Sequence, residues 1–178
     1  MPFTPFHIGP GLALKAVSGR HFSLMVFGFS QVVIDIEPLV RIIRGDIVVH
    51  GFTHTYLGAT LIALVSVVVG RPACQFFLNY LTPDPHSPFL NWLLRQKLIS
   101  WPAAITGAFV GTYSHVFLDS FMHSDMQPLS PLSGDNSLLH VISVEGLHLL
   151  CVLSGVLGAL LLLAAFLIRR SARVDRQA

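Results

Sequence analysis

One apolar segment of the chain carries two imidazoles and a carboxylate at a spacing of four residues: His115, Asp119 and His123. Because an α-helix has about 3.6 residues per turn, these side chains fall on one stripe of a helix, which Gly107 and Gly111 extend. Ionisable groups are costly in hydrocarbon unless they pair or bind a metal. Small residues mark the face on which membrane helices meet. We therefore expect the stripe to face protein, where its polar groups could ligate a metal ion.

The neighbouring segments bring further polar groups to the same level. When the apolar segments are laid out as a four-pass bundle, eight polar residues fall at one end of it, whichever way the bundle is oriented: Gln31, Asp35, Glu37, His50, His54, His115, Asp119 and His123. Imidazole and carboxylate ligands suit zinc, or less selectively manganese or iron. The chain has two cysteines, and neither belongs to this group. A purely structural cysteine-zinc knot is therefore not indicated.

The composition indicates an integral membrane protein of the all-α class. Hydrophobic residues make up 53% of the chain and charged residues 11%, which is unlike a soluble domain of this length. Apolar runs at 22–43, 55–70, 102–122 and 149–168 are each near the length that crosses about 30 Å of hydrocarbon. The simplest arrangement is a multi-pass transmembrane helical bundle. The cations lie at helix ends rather than in a patch, so no nucleic acid is expected as a partner.

Basic residues near the end of the chain predict its orientation: Arg169, Arg170, Arg173 and Arg176. Because Lys and Arg favour the cytoplasmic side of a membrane, we expect a bacterial-type inner membrane protein with a cytoplasmic C-terminus and membrane lipids as its partners. The sequence has no internal repeat and no composition change that would mark a domain boundary. Residues 1–170 are therefore predicted to form one integral-membrane domain, followed by a short basic tail at 171–178.

His7 lies on the cytoplasmic side in a simple four-pass count, away from the other ligand-type residues. The helix rise of 1.5 Å per residue gives about 20 Å from His7 to Arg20 and again from His21 to Asp35. Equal lengths of this kind favour an N-terminal helical hairpin with its tip near Arg20. In that arrangement His7 and Asp35 meet at the far end, recessed below the outer surface of the membrane.

Several short motifs resemble those of a known family: His7-Ile8-Gly9, Asp35-Ile36-Glu37-Pro38, Gly51-Phe52-Thr53-His54-Thr55 and Ser114-His115-x-x-x-Asp119. Over residues 1 to about 160 the chain resembles the YdjM-like family of membrane-bound metal-dependent hydrolases. That family is similar to the zinc-dependent phospholipase C and single-strand nuclease superfamily, whose helical fold gathers His and Asp ligands around zinc ions. The resemblance implies a ligand set in the same order: His7, Asp35, His54, His115 and Asp119.

The chain departs from this superfamily at the end of the ligand series. The soluble relatives complete their site with a further His and a later His-x-x-x-acid pair, and this chain lacks that spacing. His123 is the best candidate for an additional ligand. We therefore expect one or two divalent ions, with zinc favoured over manganese or iron.

The chemistry of such a site favours hydrolysis. A metal with an open position lowers the pKa of bound water and polarises a phosphoryl or carbonyl oxygen. Glu37 could be the general base, a bridging ligand or a bystander, because Pro38 should disturb the local helical turn. We therefore predict a membrane-embedded metal-dependent hydrolase that cleaves a phosphoester in the outer leaflet. A phospholipid or a lipid-linked phosphate could reach the site laterally.

Two other classes of function remain open. In the first, the same ligands hold an ion in transit or as a signal, and the protein is a metal-binding transporter or sensor. In the second, the protein is a structural membrane protein whose polar cluster only sets the register of the helices. A transporter should carry polar residues through both halves of the helices, whereas residues 61–69 and 106–111 offer almost none. This one-sided distribution favours the hydrolase.

Overall fold

The computed structural model describes residues 5–80, 88–94 and 98–174, and the described residues are helical or irregular, with no β-strand among them. The all-α class is therefore confirmed. The α-helices are α1 (Ile8–Ser18), α2 (Leu24–Ile34), α3 (Ile36–Arg44), α4 (Tyr56–Val65), α5 (Arg71–Tyr80), α6 (Pro88–Leu94), α7 (Trp101–Asp119) and α8 (Val144–Val174). Short 3-10 turns at Pro5–His7, Gly19–His21 and Phe52–His54 connect some of them.

The first two helices form the predicted hairpin. Gly19 ends α1 with a positive φ of 53°, a conformation that glycine adopts without strain. The ammonium group of Lys15 is buried and donates to the carbonyl oxygens of Gly19 and Phe22, both at 2.8 Å. The side chain of Ser23 then caps α2 by accepting from Val26 N. The turn is therefore closed by hydrogen bonds to groups that the helix ends leave unpaired.

The apolar run 22–43 is not one continuous helix. It breaks at Asp35, between α2 and α3. Pro38 explains the break, because proline has no N–H to donate to the carbonyl of Ile34 four residues earlier. The hydropathy of the run gives no sign of this break, so the prediction of one membrane-crossing segment there was too simple. The break leaves the carboxylate of Asp35 at the corner between two helices.

Two stretches of helix among the described residues are long and apolar enough to cross a membrane: Tyr56–Tyr80 and Val144–Ala172. The first joins α4 to α5 through a π-helical turn at Ser66–Gly70, so it extends well beyond the predicted run 55–70. Both stretches leave most of their apolar side chains exposed, as at Leu61 and Leu157. Crossing of the membrane by further segments stays a prediction.

The centre of the protein is α7, which packs against α2 and α4, while α1 packs mainly against α8. The glycine stripe of α7 faces α2, as predicted. A Cβ atom on Gly107 would lie 2.5 Å from the Ser23 carbonyl oxygen, and one on Gly111 would collide with the Ser30 hydroxyl. In α2, by contrast, a Cβ added to Gly28 would meet nothing within 4 Å. The close approach of α2 and α7 therefore depends on the glycines of α7.

Candidate metal centre

Four residues from three parts of the chain converge in the protein interior and could hold a metal ion: Asp35, His54, His115 and Asp119. Each offers one nitrogen or oxygen atom, and these four atoms lie within 4.8 Å of one another. All four side chains are buried, with exposed fractions of 1% to 4%. The residues that the sequence predicted as the centre of the ligand set are thus brought together.

Local structure explains how each residue reaches the cluster. Asp35 lies at the corner between α2 and α3, and the pair His115 and Asp119 occupies the last turn of α7. His54 ends the 3-10 turn before α4, where the Thr55 side chain caps the helix by accepting from Gly58 N at 2.9 Å. A Cβ on Gly58 would collide with the carbonyl oxygen of Phe52 in that turn. The absence of a side chain at Gly58 therefore lets the 3-10 turn that carries His54 pack closely against the start of α4.

The ring of His115 is held so that its Nε2 atom faces two carboxylates. Nε2 lies 3.1 Å from Asp35 Oδ1 and 3.2 Å from Asp119 Oδ2. On the other side of the ring, Nδ1 lies 2.5 Å from Gln31 Oε1. Since an amide oxygen can only accept, His115 Nδ1 carries the proton and donates to Gln31. Nε2 faces the carboxylates, where it can carry a second proton or, in place of that proton, ligate a cation.

The same arrangement recurs at His54, with a hydroxyl and a carboxylate as its support. Thr53 Oγ1 lies 3.1 Å from His54 Nδ1 and donates to Glu37 Oε2 at 2.7 Å. The single hydroxyl proton is then engaged, so His54 Nδ1 must be the donor to Thr53. His54 Nε2 is left facing Asp35 Oδ1 at 3.7 Å and Asp119 Oδ2 at 3.6 Å. Both histidines therefore keep a proton on Nδ1, so that Nε2 is the atom available to an ion that takes the place of a second proton.

His7 reaches the cluster from the start of α1, as the hairpin predicts. Its Nε2 atom lies 3.5 Å from Asp119 Oδ1, and its ring meets the ring of His115 edge-on with centroids 4.8 Å apart. The residue is buried, and burial disfavours the charged imidazolium form. Neutral imidazole is the form that binds metals.

The strongest sign that the cluster fits a cation is a group of buried atoms without hydrogen-bond partners: both ring nitrogens of His7, Nε2 of His54, Nε2 of His115 and Oδ1 of Asp119. Leaving one such group unpaired costs about 1–3 kcal/mol. The nitrogen–oxygen separations of 3.1–3.7 Å within the cluster bracket the ~3.4 Å between two ligands of a tetrahedral zinc ion. The donor set and its spacing thus fit a divalent transition metal.

Two predicted site residues lie outside this cluster. His123 contacts His50, with ring centroids 4.2 Å apart, and forms a second, partly exposed group with His50 and Asp125. Glu37 pairs with Arg41 at 2.8 Å and accepts from the backbone N–H groups of Phe52 and Thr53. The role of Glu37 as general base stays a prediction, and its observed contacts hold the turn that carries His54.

No direct sequence signal identifies the two groups that support the histidines. Gln31 is one of the polar residues that the sequence predicts at this end of the bundle, but its contact with His115 depends on the packing of α2 against α7. Thr53 immediately precedes His54, and this adjacency is the available signal. The contact of His50 with Asp125 joins residues 75 positions apart, which no local spacing predicts.

The whole chain, residues 1–178, matches a family that is described as a domain of unknown function, DUF4184. The chain belongs to this family. No curated protein and no solved structure matches it. The family description names no activity, so the resemblance to the YdjM-like hydrolases stays a prediction, and the function must be argued from the cluster itself.

Proposed function

We propose that this DUF4184 protein is a membrane-embedded, metal-dependent hydrolase that cleaves a phosphoester. Its buried cluster holds a divalent transition metal, zinc foremost, through Asp35, His54, His115 and Asp119, with His7 as a further ligand. One observation carries the proposal: two histidines that keep a proton on Nδ1 have buried Nε2 atoms without hydrogen-bond partners, and these atoms face the carboxylates of Asp35 and Asp119. Neither helix packing nor ordinary hydrogen bonding accounts for this arrangement of polar groups.

The residues of the cluster have distinct parts in this chemistry. A divalent metal bound there would lower the pKa of a bound water and polarise a phosphoryl oxygen. Gln31 and Thr53 hold the two imidazole rings in one tautomer and orientation. Asp119 is within 3.6 Å of three of the histidines and so links the ligands from α1, from the turn before α4 and from α7. The burial of all these groups excludes bulk water from the site.

Two neighbouring cavities support an amphiphilic phosphate as the substrate. A cavity of about 650 Å³ lies along α3, and its lining includes the apolar side chains of Val33, Ile36, Val40 and Ile62 as well as the charged side chains of Glu37, Arg41, Arg44 and Asp46. Arg41 also lines a polar cavity of about 580 Å³ whose wall includes His50. An acyl chain suits the first cavity and a phosphate head group suits the second. A phospholipid or a lipid-linked phosphate is therefore the proposed substrate.

A membrane location follows from the exposed apolar surface of the two long helices. In the proposed topology the chain crosses a bacterial-type inner membrane several times and contacts lipid along α4, α5 and α8. The basic residues Arg169 and Arg170 near the end of α8 keep the C-terminus in the cytoplasm. The buried cluster then lies toward the outer leaflet, at the opposite end of α7 from Trp101.

The proposal is tested by elemental analysis and phosphoesterase assays of detergent-purified protein. Wild type is expected to retain zinc and to hydrolyse bis(p-nitrophenyl) phosphate or phosphatidic acid in mixed micelles. The His115→Ala variant should lose both metal and activity, and His21→Ala, an exposed histidine at the other end of α2, should lose neither. Metal without hydrolysis would favour a transporter or sensor. Absence of metal in wild type would favour a structural membrane protein whose polar cluster only sets the register of the helices.

A further inference from the structure

A second group of ligand-type residues lies beside the buried cluster and belongs to none of its elements. His50, His123 and Asp125 each offer one ligand atom, and these atoms lie within 4.8 Å of one another. The residues come from the connection between α3 and α4 and from the turn after α7. All three are partly exposed, and His50 and Asp125 line the polar cavity of about 580 Å³. The group therefore faces a space that an ion or a small anion can enter.

The carboxylate of Asp125 is fixed in place by the loop that carries His50. Its Oδ2 atom accepts from Val49 N at 2.8 Å and from His50 N at 3.0 Å. Its Oδ1 atom lies 2.8 Å from His50 Nδ1. An ion that replaces the proton shared by Asp125 Oδ1 and His50 Nδ1 would meet two ligand atoms that the loop already holds in position. Asp125 is thus available as a ligand, whereas the groups that support His115 and His54 are an amide and a hydroxyl.

The ring of His123 completes the group. Backbone hydrogen bonds from Met122 N and His123 N to the Asp119 carbonyl oxygen close the end of α7 and turn His123 toward His50. The two rings lie 4.2 Å apart between centroids and are inclined by 31°. On its other side, the His50 ring meets the ring of His54 edge-on at 4.9 Å. Two imidazoles and one carboxylate are a donor set that binds zinc, manganese or iron.

We infer that His50, His123 and Asp125 form a second divalent-cation site, open to the polar cavity and adjacent to the buried cluster. Two of its three residues, His50 and Asp125, are absent from the ligand positions that the YdjM-like resemblance implies. The proposal of this site depends only on the arrangement of its own three residues. Its part in catalysis, as the ion that an incoming phosphate meets first, rests on the proposed hydrolase function. Because its residues are partly exposed and fewer, its ion binds more weakly and exchanges faster than the buried one.

Cobalt titration of chelator-treated, detergent-purified protein tests this inference. Co²⁺ binding is followed by visible absorption and by calorimetry. Wild type is expected to bind two equivalents, one tightly and one more weakly. The His123→Ala and His50→Gln variants should lose the weak step and keep the tight one, whereas His115→Ala should lose the tight step and keep the weak one. His21→Ala is the matched control and should keep both.

The two proposals fail in different ways. If the weak step persists in both His123→Ala and His50→Gln, or if wild type binds one equivalent that His115→Ala abolishes, the second site does not exist. If His115→Ala keeps the tight step, the buried centre is wrong while the second site can still stand. Asp125→Asn adds a finer measurement, since the amide oxygen can still accept from Val49 N while the charge is removed. We expect Asp125→Asn to weaken the second step about tenfold or more with the circular dichroism spectrum unchanged.

Discussion

The two groups of histidines and aspartates lie side by side, yet they satisfy their polar atoms in opposite ways. In the buried cluster, Nε2 of His54, Nε2 of His115 and Oδ1 of Asp119 have no hydrogen-bond partner. In the outer group, the Asp125 carboxylate accepts from backbone N–H groups and pairs with His50. A bound cation would therefore satisfy atoms that the buried cluster leaves unpaired, whereas the Asp125 carboxylate of the outer group already has partners. On the proposed assignments, we expect the metal to contribute to folding stability in the first case and to be an optional ligand in the second.

The largest expected effect is that of Asp119→Ala. This carboxylate contacts the rings of His7, His54 and His115, so its removal takes one ligand away and leaves the others without their common partner. We expect the metal content of the purified variant to fall to background and hydrolysis to fall below detection. Asp135→Ala, an exposed acid in the loop before α8, is the control. Normal metal content in Asp119→Ala would overturn the assignment of the buried cluster.

Chelation should separate the two groups by their effect on stability. A ligand at a concentration one hundred times its Kd stabilises the folded state by about 2.7 kcal/mol, so removal of the buried ion should lower the Tm clearly. The His123→Ala variant should show the same decrease in Tm on chelation as wild type. The His115→Ala variant should show almost none, because its buried ion is already lost. If chelation lowered the Tm of wild type but not that of His123→Ala, the stabilising ion would belong to the outer group and not to the buried cluster.

Replacement of Gln31 tests whether its hydrogen bond with His115 Nδ1 fixes the tautomer of His115. Gln31→Leu removes the acceptor of the Nδ1 proton and should weaken binding of the buried metal about 10- to 100-fold. Gln31→Glu restores an acceptor at the same place and should bind metal at least as tightly as wild type. Competition with a chromophoric chelator measures both affinities. Equal affinity of the leucine and glutamate variants would show that Gln31 has no part in positioning His115.

The smallest effect is expected at Glu37, where two roles can be told apart. If Glu37 holds Thr53 and the turn before His54, the Glu37→Gln variant should bind metal up to about tenfold more weakly, and hydrolysis by the metal-saturated enzyme should stay nearly unchanged. If Glu37 is the general base, the same variant should bind metal normally and its kcat should fall at least about 100-fold. The contacts of Glu37 with Arg41 and Thr53 favour the first result. Thr53→Val is the companion variant and should follow Glu37→Gln.

Part of the buried cluster follows from helix periodicity, because His115 and Asp119 lie on a regular helix. The stripe that ends in His115 and Asp119 is predicted from a spacing of four residues, and its burial against α2 is what the structure shows. The position of His7 follows from the equal lengths of the two hairpin arms. Sequence pattern also predicts the all-α class, since the apolar runs are too long for strands.

The remaining features depend on places where periodicity stops. His123 continues the stripe on an ideal helix, but α7 ends at Asp119, so the turn carries His123 away to His50. The corner at Asp35 arises from the missing N–H of Pro38, a local effect that hydropathy does not register. The supporting contact between Gln31 and His115 joins residues 84 positions apart. Its geometry follows from packing, which no single-sequence pattern specifies.

The close contact between the first and last helices has a consequence for the biosynthesis of the protein. Gly155 of α8 lies so near α1 that a Cβ there would be 3.1 Å from the Cα of Gly9, and Gly158 lies against the backbone of Leu12 and Ala13. The imidazole at position 7 is thus set in place by a helix that is synthesised after every other residue of the proposed buried site. If the site binds a metal as proposed, we expect the full ligand set to hold the ion only after α8 has been made.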